Sequence, residues 1–243
     1  APELAAQVLA APGRHGLALV APPDVGTVPD AVRTEEGLSP YRPRNGNRWT
    51  TTAQLSLETG IVARARQLGA PKVEPAMLEL ARIETERAGL SPDQQAAVLG
   101  ILGSGRCGDV LVGPAGSGKS RTVAALAAAW ESHVGGRVLG LATSQIATKV
   151  LVDDGLNAIN TAQFRDRFLP DEHGRVRERI RPGDLIVIDE AGMSGSTELG
   201  MITELVAASG GKFVNTGDPE QLRSIEAGGM LALLVRDNGA FEL

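Results

Sequence analysis

Cysteine, aromatic side chains and long hydrophobic runs are all scarce in this sequence of 243 residues. No apolar run approaches the ~18 residues that cross a bilayer, so the sequence predicts no membrane-spanning helix. The single cysteine, Cys107, excludes a disulfide framework and a multi-cysteine metal site, which favours a reducing, cytoplasmic environment. Aromatic residues make up 3% of the chain, so platforms on which nucleic-acid bases stack are few.

Lysine is also rare, because the 24 basic residues comprise twenty arginines and only four lysines. Acidic residues number 29, which gives a net charge of -5. The chain is therefore no bulk polycation, and any contact with nucleic acid must come from a local surface. Hydrophobic residues make up 42% of the sequence, which is typical of a globular protein with a buried core.

The pattern of the sequence changes near Gly89, where alternating helices and apolar strands begin. Residues 1–89 are predicted to form an accessory region with a loop-rich start, a short strand at 16–20 and two helices. The remaining residues, 90–243, are predicted to form a single nucleotide-binding domain. Because the chain begins with Ala1 rather than Met and ends soon after an apolar segment, we expect it to be a fragment of a longer protein.

From residue 90 onward, short apolar strands alternate with helices. The four predicted strands are 110–112, 138–141, 185–188 and 212–215. Uniformly apolar strands separated by helices indicate a parallel sheet that is buried on both faces. The predicted fold class is therefore α/β, with helices on both faces of the sheet and a small, mainly helical region before it.

The strongest motif is a glycine-rich segment after the first of these strands. Its residues are Gly113, Pro114, Ala115, Gly116, Ser117, Gly118, Lys119 and Ser120, followed on the next helix by Arg121. Glycines let such a loop turn tightly, so that its N–H groups and the helix N-terminus bind phosphates. In this pattern Lys119 reaches the β- and γ-phosphates and Ser120 binds Mg²⁺. Residues 113–121, hereafter the phosphate loop, are therefore the predicted ATP site.

An acidic pair, Asp189 and Glu190, directly follows the apolar strand at 185–188. In phosphate-loop nucleotidases an acidic residue at this strand end holds Mg²⁺, a role that suits Asp189. Glu190 lies at the same edge, where a carboxylate can orient and deprotonate the attacking water. A plain acidic turn is the alternative interpretation, and the phosphate loop upstream makes it the less favoured one.

Two glutamines are weaker candidates. The amide of Gln94 has a donor and an acceptor that match the edge of adenine, although a glutamine on a helix is more often solvated surface. Gln221 follows the fourth strand, in the segment 217–222, where it could sense a γ-phosphate. A simple turn at Asp218 and Pro219 explains that segment equally well.

Six arginines lie between residues 165 and 181, together with four acidic residues. Such a segment could contact DNA phosphates, but a solvated charged loop is the favoured interpretation. Phe164 and Phe168 are the nearest aromatic residues, and their four-residue spacing on a helix favours packing in the core.

Taken in order, these motifs resemble those of superfamily 1 DNA helicases, and of their RecD-like branch in particular. The matching segments are 90–98 (Q motif), 113–120 (motif I), 141–147 (motif Ia), 189–193 (motif II), and 217–222 with 227–229 (motif III). Residues 49–58 are also similar, more weakly, to the stretch ahead of the helicase in MobF-type conjugative relaxases. The resemblance implies a RecA-like fold and an ATP- and Mg²⁺-dependent DNA helicase, most like the one in those relaxases.

The resemblance also implies a role for each matching residue. Gln94 would read adenine, while Lys119, Glu190 and Gln221 would act in catalysis, with Gln221 sensing the γ-phosphate. Single-stranded DNA would be contacted by Thr143, Ser144 and Thr161. An N-cap or packing role suits Thr161 at least as well.

Helicases of this superfamily have two RecA-like domains, and the second supplies an arginine finger worth about 10³–10⁵ in turnover. No room for that domain follows Gly229, so we expect the isolated chain to be nearly inactive without a second RecA-like domain from its parent chain. Arg223 suits a structural or solvent-exposed role better than that of a finger. A RecD-like exonuclease subunit and a nucleotide-gated binding module without translocation are the alternative functions.

Overall fold

A computed structural model describes residues 16–20, 48–191, 194–218 and 229–243 of the protein. By its internal contacts the chain divides into two compact units, residues 1–57 and 58–243. The domain boundary predicted at Gly89 stays a prediction. Among the described helices, none combines the length and the apolar character needed to cross a bilayer.

The first unit contains an antiparallel pair of strands, β1 (Leu17–Val20) and β2 (Arg48–Thr51). Leu17 lies opposite Thr51 in this pair, and the strand predicted at 16–20 is confirmed as β1. The N–H of Gln54 donates to Thr51 Oγ1 over 3.0 Å, so a threonine hydroxyl caps the start of the helix that follows β2. β2 itself was not predicted, because its four residues carry no alternating pattern.

Three helices follow this strand pair, and parallel strands then alternate with helices along the rest of the described chain. The helices are α1 (Thr52–Arg66), α2 (Pro75–Arg87), α3 (Pro92–Gly103), α4 (Lys119–His133), α5 (Gln145–Asp153), α6 (Thr161–Phe168), α7 (Ser196–Ala208) and α8 (Gly229–Asn238). The strands are β3 (Gly108–Val112), β4 (Val138–Ala142), β5 (Ala158–Asn160), β6 (Leu185–Ile188), β7 (Lys212–Gly217) and β8 (Phe241–Glu242).

The six strands form one sheet in the order β5-β4-β6-β7-β3-β8. Every neighbouring pair in it is parallel. This confirms the predicted α/β, RecA-like class, and all four predicted strands are present as β3, β4, β6 and β7. Because the strands are parallel, their carboxyl ends lie along one edge of the sheet, which brings the loops after β3, β6 and β7 together.

The main hydrophobic core lies between this sheet and the helices that include α3 and α4. Leu111, Val187 and Val214 contribute from three adjacent strands, and Leu126 and Trp130 contribute from α4. All five of these residues are fully buried. Burying such a side chain is worth about 1.5–3 kcal/mol, so the core holds α4 and the loop before it against the sheet.

The amino ends of β3 and β7 carry a buried charged cluster that the sequence did not reveal. Lys212 Nζ lies 2.6 Å from Asp109 Oδ2, and both side chains are fully buried. Lys212 also donates to Ser104 Oγ and to the Arg106 carbonyl oxygen, each over 2.7 Å. Burial lowers the pKa of Lys212, and the nearby Asp109 carboxylate partly opposes that effect. These four residues, hereafter the amino-edge cluster, link the two strands at the end opposite the phosphate loop.

Candidate nucleotide site

The phosphate loop joins β3 to α4, as its sequence predicted. Gly116 and Gly118 have φ angles of 81° and 86°, a left-handed conformation that glycine adopts without strain. Gly118 is also the N-cap of α4. A Cβ atom at Gly118 would collide with Nε2 of Gln94, so a larger residue would have to displace that side chain in addition to adopting a left-handed backbone.

Lys119 is the first residue of α4, and its side chain folds back over the loop. The Nζ atom donates to the carbonyl oxygens of Gly113 and Pro114, over 2.6 and 3.0 Å. Ser117 Oγ is buried and has no hydrogen-bond partner among the described residues. The loop therefore presents a cation and a helix N-terminus, which are suitable donors for phosphate oxygens.

Gln94 contacts the phosphate loop directly. Its Nε2 donates to the Ser117 carbonyl oxygen over 3.0 Å, and its Oε1 accepts from the Ser91 N–H over 3.1 Å. The side chain is buried, so this residue ties the start of α3 to the loop. The sequence suggested either adenine reading or a solvated surface position for Gln94, and neither interpretation included this tether, although Ser91 and Gln94 have the spacing of a capping box.

Arg121 lies on the first turn of α4, and its guanidinium donates to the Ala88 carbonyl oxygen over 2.6 Å. Ala88 is the C-cap of α2, where carbonyl groups lack partners within the helix and attract a cation. The structure thus gives Arg121 a contact with α2. Its predicted part in nucleotide binding stays a prediction.

The acidic pair follows β6, as predicted. The N–H of Asp189 donates to the Leu141 carbonyl oxygen over 2.8 Å, and Asp189 Oδ1 accepts from Thr216 Oγ1 over 2.6 Å. Glu190 is exposed and has a φ of 47°. Among the described residues it is the one non-glycine residue with a positive φ. A left-handed conformation costs a residue with a side chain about 1–2 kcal/mol, and strain of this kind clusters at functional sites.

A cavity of about 250 Å³ lies between the phosphate loop and the carboxyl ends of β6 and β7. Its lining includes Lys119, Ser120, Asp189, Glu190 and Thr216, and also Asp218 and residues of α5. The structure thus brings together the predicted phosphate-binding, metal-binding and water-activating side chains. Gln221 and Arg223 lie outside the described residues.

The donors in this cavity fit a nucleotide with Mg²⁺. A serine hydroxyl and a carboxylate are the hard oxygen ligands that Mg²⁺ prefers. Within the described ranges, no group of three or more His, Cys, Asp or Glu is arranged to hold a metal ion. Such a site suits an ion that completes its coordination with water and substrate phosphates rather than one enclosed by protein.

The three residues predicted to contact DNA lie outside the lining of this cavity. Ser144 is the N-cap of α5, and its Oγ accepts from the Ala147 N–H over 3.1 Å. Thr161 is 8% exposed and begins α6, which Asn160 caps, so the structure gives Thr161 a packing role. Thr143 is half-buried. Their contact with DNA stays a prediction.

The arginine-rich segment at 165–181 is partly neutralised by its own acidic residues. Arg175 pairs with Asp171 at 3.0 Å, and Arg177 pairs with Asp166 at 2.7 Å. The rings of Phe164 and Phe168 stack at 4.8 Å and are buried, in agreement with the expected core role. This segment is therefore a weaker candidate for binding phosphates than its arginine content suggests.

The Gln94→Ala variant is expected to bind both ATP and GTP about 5- to 30-fold more weakly. Two hydrogen bonds are lost, one to the loop at Ser117 and one from the Ser91 N–H, each worth about 1 kcal/mol. Competition against a fluorescent nucleotide measures both affinities. Gln95→Ala is the matched control, since Gln95 Nε2 donates to the Leu90 carbonyl oxygen over 2.8 Å, away from the loop. If only the affinity for ATP fell, the tether would be contradicted, and adenine recognition would be the sole role of Gln94 in binding.

Comparison with known proteins yields one family and several relatives. Residues 89–243 match the AAA domain family. The conjugal transfer protein TraA of Agrobacterium fabrum is 32% identical over 198 residues, which cover 81% of this chain and 17% of the relative. The RecBCD enzyme subunit RecD of Mycolicibacterium smegmatis is 32% identical, over 61% of the chain and 31% of that protein. The multifunctional conjugation protein TraI of Escherichia coli is 31% identical, over 57% of the chain and 8% of that protein. The chain thus spans about one sixth of the length of TraA.

Proposed function

The chain belongs to the AAA domain family and is a RecD-like superfamily 1 helicase chain, and from this premise we propose that it is the ATP-binding part of an ATP-dependent DNA helicase or translocase. The observation that carries the proposal is the cavity shared by Lys119, Ser120, Asp189 and Glu190. Two separate segments of the chain contribute these side chains, and each side chain has the chemistry that one part of ATP hydrolysis requires.

Each residue has a definite task in the proposed reaction. The phosphate-loop N–H groups and Lys119 bind the β- and γ-phosphates, with the ammonium exchanging its loop carbonyls for phosphate oxygens. Ser120 and Asp189 hold Mg²⁺, which when bound neutralises charge on the phosphates. Glu190 orients the attacking water and accepts its proton, and Gln221 senses the γ-phosphate. Gln94 keeps the loop in shape and reads adenine.

We further propose that the chain works in the cytoplasm with a second RecA-like domain of its parent protein, and that closure of the two domains on ATP moves single-stranded DNA. An arginine finger from the second domain would raise turnover by about 10³–10⁵, so the isolated chain would be nearly inactive. The similarity to TraA and TraI supports a protein of conjugative transfer. The similarity to RecD supports an exonuclease subunit as the second candidate.

The decisive experiment measures ATP hydrolysis by the parent protein with and without single-stranded DNA. We expect Mg²⁺-dependent hydrolysis that single-stranded DNA accelerates more than duplex DNA of the same length does. The isolated chain, tested in parallel, is expected to bind nucleotide but to turn it over at least about 10³-fold more slowly. Nucleotide binding without DNA-stimulated hydrolysis in the parent protein would contradict the helicase and favour a nucleotide-gated binding module.

A further inference from the structure

Thr216 contacts Asp189 but belongs to none of the sequence motifs described above. It lies near the end of β7 and lines the same cavity as Lys119 and Glu190. Its Oγ1 donates a hydrogen bond of 2.6 Å to Asp189 Oδ1. Thr216 is 1% exposed, and its side chain is branched at Cβ, which limits it to few rotamers. The hydroxyl is therefore held in place by its surroundings.

Both partners of this hydrogen bond are anchored by the sheet. Ile188 lies opposite Asn215 in the pairing of β6 with β7, so Asp189 and Thr216 are the next residues on the two strands. On its other side Thr216 lies opposite Leu111 of β3, which leads into the phosphate loop. The N–H of Asp189 is bound to Leu141 of β4. The hydrogen bond thus joins two rigid points at the carboxyl edge.

We propose that Thr216 is a positioning residue for the metal-binding carboxylate, whose hydrogen bond to Oδ1 fixes the orientation of Asp189 and leaves Oδ2 for the Mg²⁺ of the nucleotide. In the described part of the chain, no other side chain donates a hydrogen bond to that carboxylate. Partners of this kind hold metal ligands in place, and their loss costs about 10- to 100-fold in metal affinity. The inference rests on the proposed function, because it concerns the same nucleotide site.

Two substitutions separate positioning from packing. Thr216→Val removes the hydroxyl and keeps the shape, whereas Thr216→Ser keeps the hydroxyl and loses a methyl group. Binding of a fluorescent ATP analogue to the chain is measured over a series of Mg²⁺ concentrations and also in excess EDTA. For Thr216→Val we expect the half-saturating Mg²⁺ concentration to rise about 10- to 100-fold, while binding in EDTA changes less than about twofold. Thr216→Ser is expected to stay near the wild type.

Thr203→Val is the matched control, because Thr203 is fully buried and donates to the Gly200 carbonyl oxygen over 3.1 Å within α7. Thermal unfolding of each variant checks that all are folded at the assay temperature. An unchanged Mg²⁺ requirement in Thr216→Val overturns the inference and leaves the proposed function intact. An equal loss of binding with and without Mg²⁺ also overturns it, because the hydroxyl then serves packing. No nucleotide binding by the wild type at any Mg²⁺ concentration overturns both.

Discussion

The Glu190→Gln variant of the parent protein is expected to hydrolyse ATP about 10²- to 10⁴-fold more slowly than the wild type in the presence of DNA. Glutamine keeps the size of the side chain but cannot accept a proton, and general-base catalysis contributes a factor of that order. Nucleotide affinity is expected to change less than about threefold, because phosphate binding belongs to other side chains. A coupled phosphate-release assay measures the rate, and fluorescence titration measures the affinity.

The matched control is Glu172→Gln, at a side chain that is 87% exposed in the loop after α6. Its rate is expected to equal that of the wild type. A second variant, Glu190→Gly, relieves the left-handed strain at position 190, so it is expected to unfold at a slightly higher temperature while hydrolysing ATP as slowly as Glu190→Gln. If Glu190→Gln retained more than about a tenth of the wild-type rate, Glu190 would not be the base.

The Lys119→Ala variant is expected to bind Mg²⁺-ATP at least about 100-fold more weakly than the wild type. Losing one member of a buried charge pair costs about 2–5 kcal/mol, and the phosphates would lose their cation. Among the described residues, the ammonium has hydrogen bonds only to two loop carbonyls, those of Gly113 and Pro114. Both carbonyls can be hydrated after truncation, so the variant is expected to fold normally.

Isothermal titration calorimetry of the chain measures this loss directly. Lys149→Ala is the control, because Lys149 is an exposed lysine on α5 and is not part of the cavity lining. Its affinity for nucleotide is expected to match the wild type within about twofold. Wild-type affinity in Lys119→Ala would remove the phosphate loop from the proposed mechanism, whatever the outcome at Glu190.

The parts of the site that could be predicted depend on local sequence. The phosphate loop requires glycine at positions such as Gly118, where the backbone is left-handed, and that requirement is visible as a spacing of residues. Strand β6 is uniformly apolar, and the change to acidic residues marks where it ends. The position of Asp189 at the carboxyl edge therefore followed from the pattern. The signals for helix starts are local for a similar reason, since caps and prolines act within one turn.

The remaining features depend on which strands become neighbours. The sequence does not show that β7 lies between β3 and β6, so the contact of Thr216 with Asp189 was not foreseen. The same holds for the tether from Gln94 to Ser117 and for Lys212 in the amino-edge cluster. β5 and β8 have only three and two residues, too few for a recognisable period. Their existence depends on the strands beside them.

The amino-edge cluster affects which substitutions would reduce nucleotide binding in a mutational screen of this protein. Asp109 and Lys212 belong to the strands that carry the phosphate loop and Thr216 at their other ends, about 13 Å away along each strand. A slip of one residue between β3 and β7 would turn every side chain of one strand to the opposite face. Substitutions at Asp109 would therefore score among the nucleotide-binding mutants although that side chain touches no part of the cavity lining. Distance from the ligand is a poor guide to phenotype along these two strands.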